Sequence, residues 1–428
     1  MLRRILLSAA LGTALLAPPA VAAEHVPGEV VVRYVGEDGG LGRTAVVQTD
    51  QGESVREAIA DLRDRPRVLS ATKNVIARIA HVPNDPGRIG VASGWQELQW
   101  NFSGPFGVNA PAAWDNVAAA GRPGGAGVVV AVLDTGVAYA TRGRFVRSPD
   151  LGEDRFVPGH DFVEGDRFPH DVNGHGTHVA STIAESVDND VGVTGLAYGA
   201  RIMPVRVLDR NGEGDSVSIA KGIRYAARHG ADVVNLSFEF GEAVRARQIP
   251  NILDALRFAN KRGLLVVGAA GNAAATAVAY PARAQDVVSV GATTEHGCVA
   301  EYSNTGPQLD LTAPGGGPDA DLAEDPNCRP LEEPGRDIVQ MTFTRNVRTF
   351  GLPGRYIGTS MAAPHVSATA ALVLASGVLG ADPSPRALSQ RLLATARDLG
   401  LPGADNRYGA GLVDAAAATA PAAAPAAP

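Results

Sequence analysis

The sequence has no cluster of basic residues and few charged residues of either sign. Charged side chains make up 19% of its 428 residues, and the formal net charge is −7. Because nucleic acids and anionic membranes are bound through clustered positive charge, this composition argues against both as partners. Hydrophobic residues make up 45% of the chain. That share suffices for a large buried core and excludes a disordered or fibrous protein.

Long apolar runs are also absent, except at the start of the chain. A short basic stretch, Met1 to Arg4, precedes an apolar run from Ile5 to Ala17, and Ala20-Val-Ala22 supplies a cleavage site. This pattern predicts a signal peptide over residues 1–23. The run is short for a membrane span, which disfavours an uncleaved anchor. We therefore expect a secreted protein, outside the cell or in the periplasm, with no stable membrane anchor.

Only two cysteines occur, Cys298 and Cys328, on either side of a loop rich in glycine and proline. Export would place them in an oxidising compartment, which favours one disulfide between them. Two free thiols or a pair of metal ligands are the alternatives. A metal site would need further histidine or cysteine ligands, and only His296 lies nearby in the sequence.

Residues 24–85 form a small separate block of α+β character. Gly28 to Val35 has strand composition, and Ser54 caps a helical pattern that runs through Asp64. A further apolar stretch, Val75 to Val82, predicts another strand. Asn84 to Gly87 is turn-prone and predicts a linker. The block contains no catalytic constellation.

Residues 98–415 alternate between apolar strands and helical patterns. This alternation predicts an α/β fold with a central parallel sheet, which binds its ligands beyond the carboxyl ends of the strands. Residues 416–428 are almost wholly alanine and proline and predict a disordered tail. The predicted strands are 127–133, 201–208, 231–236, 263–269 and 286–291, and the predicted helices begin at His175 or cover 216–228, 251–261, 360–374 and 384–396.

Three short motifs carry candidate chemistry. Asp134-Thr-Gly136 ends the first apolar strand, His175-Gly-Thr-His178 opens a helix, and Ser360 begins another. Acyl transfer needs a nucleophile, a base that takes its proton and a group that orients the base. Serine, histidine and aspartate supply these three roles. A serine at the start of a helix also meets the positive end of the helix dipole.

Other chemistries fit these motifs less well. An aspartic protease would need a second Asp-Thr-Gly motif within a mostly β chain, and neither condition holds. His178 follows His175 by three residues, but the glutamate that a zinc protease motif requires is missing between them. We interpret His178 and His365 as packing residues. The glycine cluster at 121–127 does not open a helix after a strand, so we reject a nucleotide site.

The order Asp, His, Ser and the run Gly358-Thr-Ser-Met-Ala-Ala-Pro-His365 resemble the subtilisin-like serine proteases, the subtilase family. The resemblance covers residues 98–415 and implies a three-layer α/β fold. It also implies that Asp134 orients His175, that His175 is the general base and acid, and that Ser360 attacks the peptide carbonyl.

The resemblance also implies how substrate is bound. Asn272 matches the side-chain donor of the family's oxyanion hole, beside the backbone N–H of Ser360. The family binds peptides as an added strand, and the matching edges contain Gly212, Gly214, Ser237, Phe238 and Glu239. Many members have glycines where this chain has Glu239 and Phe240. These two side chains would narrow the pocket for the residue before the cleaved bond (P1), or Glu239 would favour a basic P1 residue. Alternatively, both would point away from the pocket.

Two segments resemble the calcium site of the family, Ser148 to Leu151 and Asp188 to Val193. Calcium prefers hard oxygen ligands, which makes Asp150 and Asn189 the candidate ligands. A plain polar loop is the alternative. No cofactor is expected for the chemistry itself.

The block at 24–85 is similar, more weakly, to the inhibitory propeptide of the family. The resemblance therefore implies a monomeric, secreted serine endopeptidase, made as a self-processing zymogen, that acts on protein or peptide substrates and on its own propeptide. A pseudoprotease that only binds peptides is one alternative, although it would be expected to lack a site residue. An esterase or acyl transferase with the same triad is another, which peptide-versus-ester turnover would distinguish.

Overall fold

A computed structural model describes residues 25–36, 41–50, 52–75, 82–88 and 90–421 of the chain. The chain divides into two compact units, Met1–Ala80 and His81–Pro428. The predicted signal peptide, residues 1–23, lies outside the described residues. No helix within the described ranges is long and apolar enough to cross a membrane.

The first unit is a three-stranded antiparallel sheet with one helix. The strands pair in the order β2-β1-β3, and the helix α1 begins with a capping box in which Ser54 and Glu57 bond to each other's backbone. Its small core contains Val30, Val32 and Leu62. The elements are β1 His25–Val35, β2 Leu41–Gln48, α1 Val55–Arg63 and β3 Val68–Val75.

The strand predicted at residues 75–82 falls mostly outside the described part of the chain, which leaves out residues 76–81. The structure adds a strand that the sequence did not predict, β3 at Val68–Val75. The apolar alternation of β3 is weak because its buried residue is the small Ala71, whereas Leu69 is exposed. Pairing with β1 therefore defines this strand more than its own composition does.

The predicted linker at Asn84–Gly87 falls inside the second compact unit, which begins at His81 and not after the predicted boundary at residue 85. These residues belong to the second unit, where Asp85 is fully buried and accepts backbone hydrogen bonds from Asp188 and Asn189. The Trp95 indole donates to the carbonyl of Pro83 at 2.8 Å. A turn-prone sequence is thus packed into the larger unit by polar contacts that composition does not reveal.

The second unit is built on seven parallel strands in the order β10-β9-β8-β7-β4-β6-β5. This confirms the predicted parallel α/β fold, and the observed α6 matches its predicted range. In chain order the elements are α2 Trp95–Leu98, α3 Trp100–Ser103, α4 Ala110–Ala119, β4 Val129–Asp134, β5 His160–Asp161, α5 His175–Ala184, β6 Arg201–Arg206, α6 Ser216–Arg228, β7 Val233–Leu236, α7 Pro250–Lys261, β8 Leu265–Ala269, β9 Val288–Thr293, β10 Leu311–Pro314, β11 Thr342–Phe343, β12 Phe350–Gly351, α8 Thr359–Ser376, α9 Pro385–Ala394 and α10 Ala415–Thr419.

Two hydrophobic cores cover the two faces of this sheet. Along β4, Val130 and Val132 face the core shared with α4, α5 and α8, whereas Ala131 and Leu133 face the core shared with α6 and α7. Successive residues of a strand point to opposite faces, so a strand covered on both sides is apolar throughout. The helix α8 is buried along nearly its whole length, so it is closely packed on all sides.

The predicted disordered tail was wrong at its start. Residues Ala415–Thr419 form α10, whose first turn is capped by the carboxylate of Asp414. Ala415 and Ala418 are buried, and Arg391 donates to carbonyl groups at the end of the helix. Alanine has the highest helix propensity, so a capped alanine run folds once it has a surface to pack against. Residues 422–428 lie outside the described chain.

The predicted disulfide is confirmed. Cys298 and Cys328 are bonded, and the sulfur of Cys298 is buried beside Tyr408. The bond joins the segment after β9 to the loop between β10 and β11.

Candidate active site

The carboxylate of Asp134 lies at the carboxyl end of β4 and is fully buried. Its two oxygens lie 2.8 and 3.0 Å from Nδ1 of His175, and one of them accepts the backbone N–H of Thr135 at 2.7 Å. A buried carboxylate needs such partners, because its desolvation is costly when it is left unpaired. The pairing fixes the imidazole plane and directs Nε2 away from Asp134.

The first turn of α5 is shaped to bring His175 against β4. Gly176 permits this approach, since a Cβ at that position would lie 2.2 Å from the carbonyl oxygen of Gly136. The Gly176 N–H donates to Thr135, and the buried carboxylate of Asp171 accepts the N–H groups of Gly174 and Thr177. Sequence reasoning missed the role of Asp171, although an aspartate just before a helix is a common capping signal.

The pKa of His175 is raised. Burial alone would lower it, but the charge and hydrogen bond of Asp134 outweigh the burial, and the carboxylates of Asp171 and Glu239 add to the increase. The imidazolium form is thus stabilised by the acids around it. A base that must take a proton and then release it benefits from such stabilisation.

Ser360 is the second residue of α8 and follows Gly358 by two positions. The φ of 145° and ψ of 162° of Gly358 start the helix abruptly. The Ser360 hydroxyl donates to the main-chain oxygen of Ser237 at 3.0 Å, and the Ser237 hydroxyl donates back to the Ser360 carbonyl at 2.8 Å. Among the described contacts, neither ring nitrogen of His175 is hydrogen-bonded to Ser360. Catalytic hydrogen bonds are often long in free enzymes and tighten only with substrate.

Asn272 follows β8 and is held in one orientation by Thr359. Its Oδ1 accepts the Thr359 N–H at 2.8 Å and the Thr359 hydroxyl at 3.1 Å. Its Nδ2 lies 3.5 and 3.2 Å from the two carboxylate oxygens of Glu239. Sequence reasoning missed Thr359, whose only signal was its place between Gly358 and Ser360.

The predicted substrate-binding residues fall in two places. Ser237 and Phe238 are buried beside the start of α8, and the carboxylate of Glu239 faces Asn272. The Glu239 carboxylate thus lies against Asn272, whereas Phe240 packs against the α6 and α7 side of the sheet. The effect of these two side chains on the P1 pocket stays a prediction.

The other predicted edge lies in the turn between β6 and α6. Gly212 and Gly214 are exposed there, and Gly212 donates its N–H to the carbonyl of Asp209. Among the described hydrogen bonds, none joins Gly212 or Gly214 to Asp134, His175 or Ser360, although Val207 and Leu208 at the start of the same connection donate their N–H groups to the carbonyl of Asp134. The two glycines therefore lie on an exposed turn and form no described hydrogen bond with Asp134, His175 or Ser360.

His178 and His365 are both buried outside the site, in packing positions. The His178 ring stacks on Tyr356 with 4.0 Å between centroids and contacts the carbonyl of Ile338, and burial lowers its pKa to about 3. His365 contacts Asn101 and the carbonyl of Met361, and burial lowers its pKa to about 4. Both rings are thus neutral at ordinary pH.

The candidate calcium ligands are in contact, since the Asn189 amide donates to Asp150 at 2.7 Å. Burial, reinforced by Asp85, raises the pKa of Asp150 to about 8, and burial beside Asp150 raises the pKa of Glu185 well above its usual value. One carboxylate oxygen of Glu185 and the hydroxyl of Ser148 are buried without a hydrogen-bond partner. Within the described ranges, no three acidic, histidine or cysteine side chains are arranged to hold a metal ion.

Comparison with known proteins identifies the family. A profile described as the Subtilase family matches residues 125–411. The chain belongs to the subtilase family. It is 33% identical over 371 residues to a thermophilic serine proteinase of Bacillus sp. strain AK1, covering 82% of this chain and 79% of that protein. It is 36% identical over 324 residues to subtilisin BL of Lederbergia lenta, covering 76% of this chain and 99% of that protein.

Solved structures agree with this subtilase fold. A protease from Pseudoalteromonas arctica superposes with a TM-score of 0.61 at 31% identity, covering 79% of this chain and 99% of that one. A cold-adapted subtilisin-like serine proteinase gives a TM-score of 0.51 at 30% identity, covering 68% of this chain and 88% of that one. The protein is accordingly a serine-type endopeptidase with a subtilisin-like fold.

The pairing of Asp134 with His175 leads to a direct prediction. Asp134→Asn removes the neighbouring negative charge while keeping the side-chain shape, so the pKa of His175 should fall below that of the wild type. An NMR titration of the imidazole on a Ser360→Ala background measures it without self-digestion. Asp382→Asn, at an exposed position, is the matched control and should leave the titration unchanged. An unaltered pKa in Asp134→Asn would contradict the described geometry.

Proposed function

We propose that this subtilase cleaves peptide bonds through an acyl-enzyme intermediate, with Asp134, His175 and Ser360 as the catalytic triad and Asn272 as an oxyanion donor. The observation that carries the proposal is the fixed amide of Asn272. Its Oδ1 is held by Thr359, the residue immediately before Ser360, which keeps the amide beside the proposed nucleophile and supports Nδ2 and the Ser360 N–H as the two oxyanion donors.

The proposed reaction begins when the Ser360 hydroxyl leaves the Ser237 carbonyl and turns to His175. The Oγ–carbon bond forms as the Ser360 proton passes to Nε2 of His175. His175 then gives that proton to the leaving amine as the peptide C–N bond breaks. In the second half, water gives a proton to Nε2 of His175 as its oxygen attacks the acyl carbon. The bond between that carbon and Ser360 Oγ then breaks, His175 returns the proton to Oγ, and the carboxylic acid is released.

We also propose that the protein is made as an exported zymogen that removes its own first unit. Support comes from the signal-peptide pattern of residues 1–23 and from the compact α+β unit that precedes the catalytic unit. A large parallel sheet depends on contacts between distant segments and folds slowly without assistance. Protein substrates and the first unit are therefore the proposed partners, and the monomeric state stays a prediction.

Self-processing can be tested with Ser360→Ala. The purified variant should stay at full length while the wild type shortens, because the variant has no nucleophile. Ser389→Ala, on the outer face of α9, should shorten like the wild type. Mass spectrometry of the purified chains over time measures this. Added wild-type enzyme should cut Ser360→Ala in trans, which shows that the variant is a competent substrate. Shortening of Ser360→Ala by itself would refute self-cleavage.

A structural calcium ion is proposed near Asp150 and Asn189. The chemistry of the donors fits, because buried carboxylates with raised pKa values and an unpartnered Glu185 oxygen gain from a divalent cation. Asp85, which sequence reasoning assigned to a linker, contributes a third buried carboxylate nearby. Such an ion would bind the side-chain oxygens of Asp150 and Asn189 in the region after α5. It takes no part in peptide hydrolysis.

Removal of calcium should lower the melting temperature. A carboxyl group whose pKa is raised on folding destabilises the protein as pH rises, here between about 4 and about 8 for Asp150. Bound calcium favours the ionised form, so the stabilisation by calcium should grow across this range. Melting curves of Ser360→Ala with calcium or with a chelator measure it. Asp150→Asn should lose most of the response, and exposed Asp382→Asn should keep it. Equal responses in both variants would exclude Asp150 as a ligand.

A further inference from the structure

The carboxylate of Glu239 occupies the donors that the proposed reaction needs. It accepts the backbone N–H of Asn272 at 3.2 Å, and Nδ2 of Asn272 lies 3.2 and 3.5 Å from its two oxygens. Nδ2 is the group proposed to bind the oxyanion. In the free protein this donor is therefore turned to an acidic side chain of the protein itself.

The position of Glu239 relative to a bound peptide follows from these contacts. The carbonyl carbon under attack must lie within reach of Ser360 Oγ, and its oxygen must lie about 3 Å from Asn272 Nδ2. The P1 side chain is attached to the Cα atom that is bonded to that carbonyl carbon. It is therefore the part of the substrate brought closest to the Glu239 carboxylate, which shares the same Asn272 donor.

The backbone on both sides of Glu239 is anchored, so only its side chain can make way for a substrate. Ser237 is tied to Ser360 by two hydrogen bonds, one in each direction. The Phe240 N–H donates to the carbonyl of Tyr280 at 2.7 Å. The Glu239 side chain has several rotatable bonds and can swing off Asn272 without any movement of these anchors.

Among the residues that the structure describes, no lysine or arginine forms an ion pair with Glu239, and His175 is a neighbouring group that can carry positive charge. The side chain is half-buried, and burial raises the pKa of Glu239 although Asn272 and His175 partly offset this. A substrate that displaces the Glu239 carboxylate thus breaks the hydrogen bonds that the carboxylate accepts from Asn272. The carboxylate regains such bonds only if the substrate carries a suitable donor.

We propose that Glu239 is a specificity-determining residue that selects substrates with a basic P1 side chain, lysine or arginine. The inference rests on the proposed function. An arginine or lysine at P1 supplies charge-assisted hydrogen bonds to the displaced carboxylate, while an apolar P1 residue leaves it partly desolvated and unpaired. An acidic P1 residue adds repulsion between like charges. In this proposal the Glu239 carboxylate blocks Nδ2 of Asn272 in the free enzyme, and a cationic P1 side chain displaces it by binding it.

The test compares kcat/KM for peptides that differ only at P1, with arginine, lysine, leucine or glutamate there. Wild type should prefer arginine and lysine to leucine by at least about tenfold, and glutamate should be the poorest. Glu239→Gln keeps the length of the side chain but removes its charge. It should lower kcat/KM for the basic peptides by about 10- to 100-fold, as expected for loss of a partly buried charge pair. Its leucine value should rise, because Asn272 no longer holds a carboxylate.

Two further variants complete the design. Glu239→Gly opens the same space without a replacement hydrogen bond and should also abolish the basic preference. Glu242→Gln removes an exposed acid three residues away and should keep the wild-type ratio of arginine to leucine turnover. Benzamidine, a small cation that mimics a P1 arginine, should inhibit wild type at least about tenfold more tightly than Glu239→Gln. This inhibition reports on charge recognition and does not depend on peptide sequence.

The possible outcomes separate the two proposals. An arginine-to-leucine ratio that is the same in wild type and Glu239→Gln overturns the role of Glu239 while leaving the protease function intact. A ratio that falls equally in Glu242→Gln would assign the effect to general surface charge and also overturn the inference. Failure of wild type to cleave any of the peptides, or cleavage that persists in Ser360→Ala, overturns the proposed function and the specificity with it.

Discussion

The candidate site depends on one buried interaction, the contact between the carboxylate of Asp134 and the imidazole of His175. A carboxylate without solvent exposure at a strand end is costly unless it is paired, and His175 with the Thr135 N–H supplies that pairing. The pairing in turn requires α5 to begin almost in contact with β4, which only glycine at position 176 allows. The close packing of α5 against β4 and the pairing of the buried charge therefore depend on each other.

The second half of the site is built on the start of α8. This helix is buried along its length, so its first residues cannot drift relative to the sheet. Thr359 uses both its N–H and its hydroxyl to orient Asn272, and Ser237 is bonded to Ser360 in both directions. Groups held in this way need little rearrangement when charge develops on a substrate, and such preorganisation accounts for much of the catalytic power of enzymes. Two side chains must move in the proposed reaction: Glu239 leaves Asn272, and the Ser360 hydroxyl turns from Ser237 to His175.

Most of the catalytic fold could be predicted because its elements are long and strongly patterned. The helix at 216–228 and the apolar strands follow from periodicity alone, and the three motifs lie at strand or helix ends where a parallel sheet collects functional groups. The features that the sequence did not reveal have one physical cause in common. The burial of Asp85, the docking of α10 and the direction of the Glu239 side chain depend on partners distant in sequence, which no local pattern specifies. Thr359 was missed for the same reason.

The central claim is that Ser360 is the activated nucleophile of the processed protein. Reaction with a fluorophosphonate, followed by proteolysis and mass spectrometry of the peptides, measures this directly because the reagent bonds covalently only to an activated hydroxyl. The account predicts one adduct per chain, on Ser360, and its near-complete loss when His175 is replaced by alanine. An adduct on a different serine, or labelling of Ser360 that persists without His175, would contradict it.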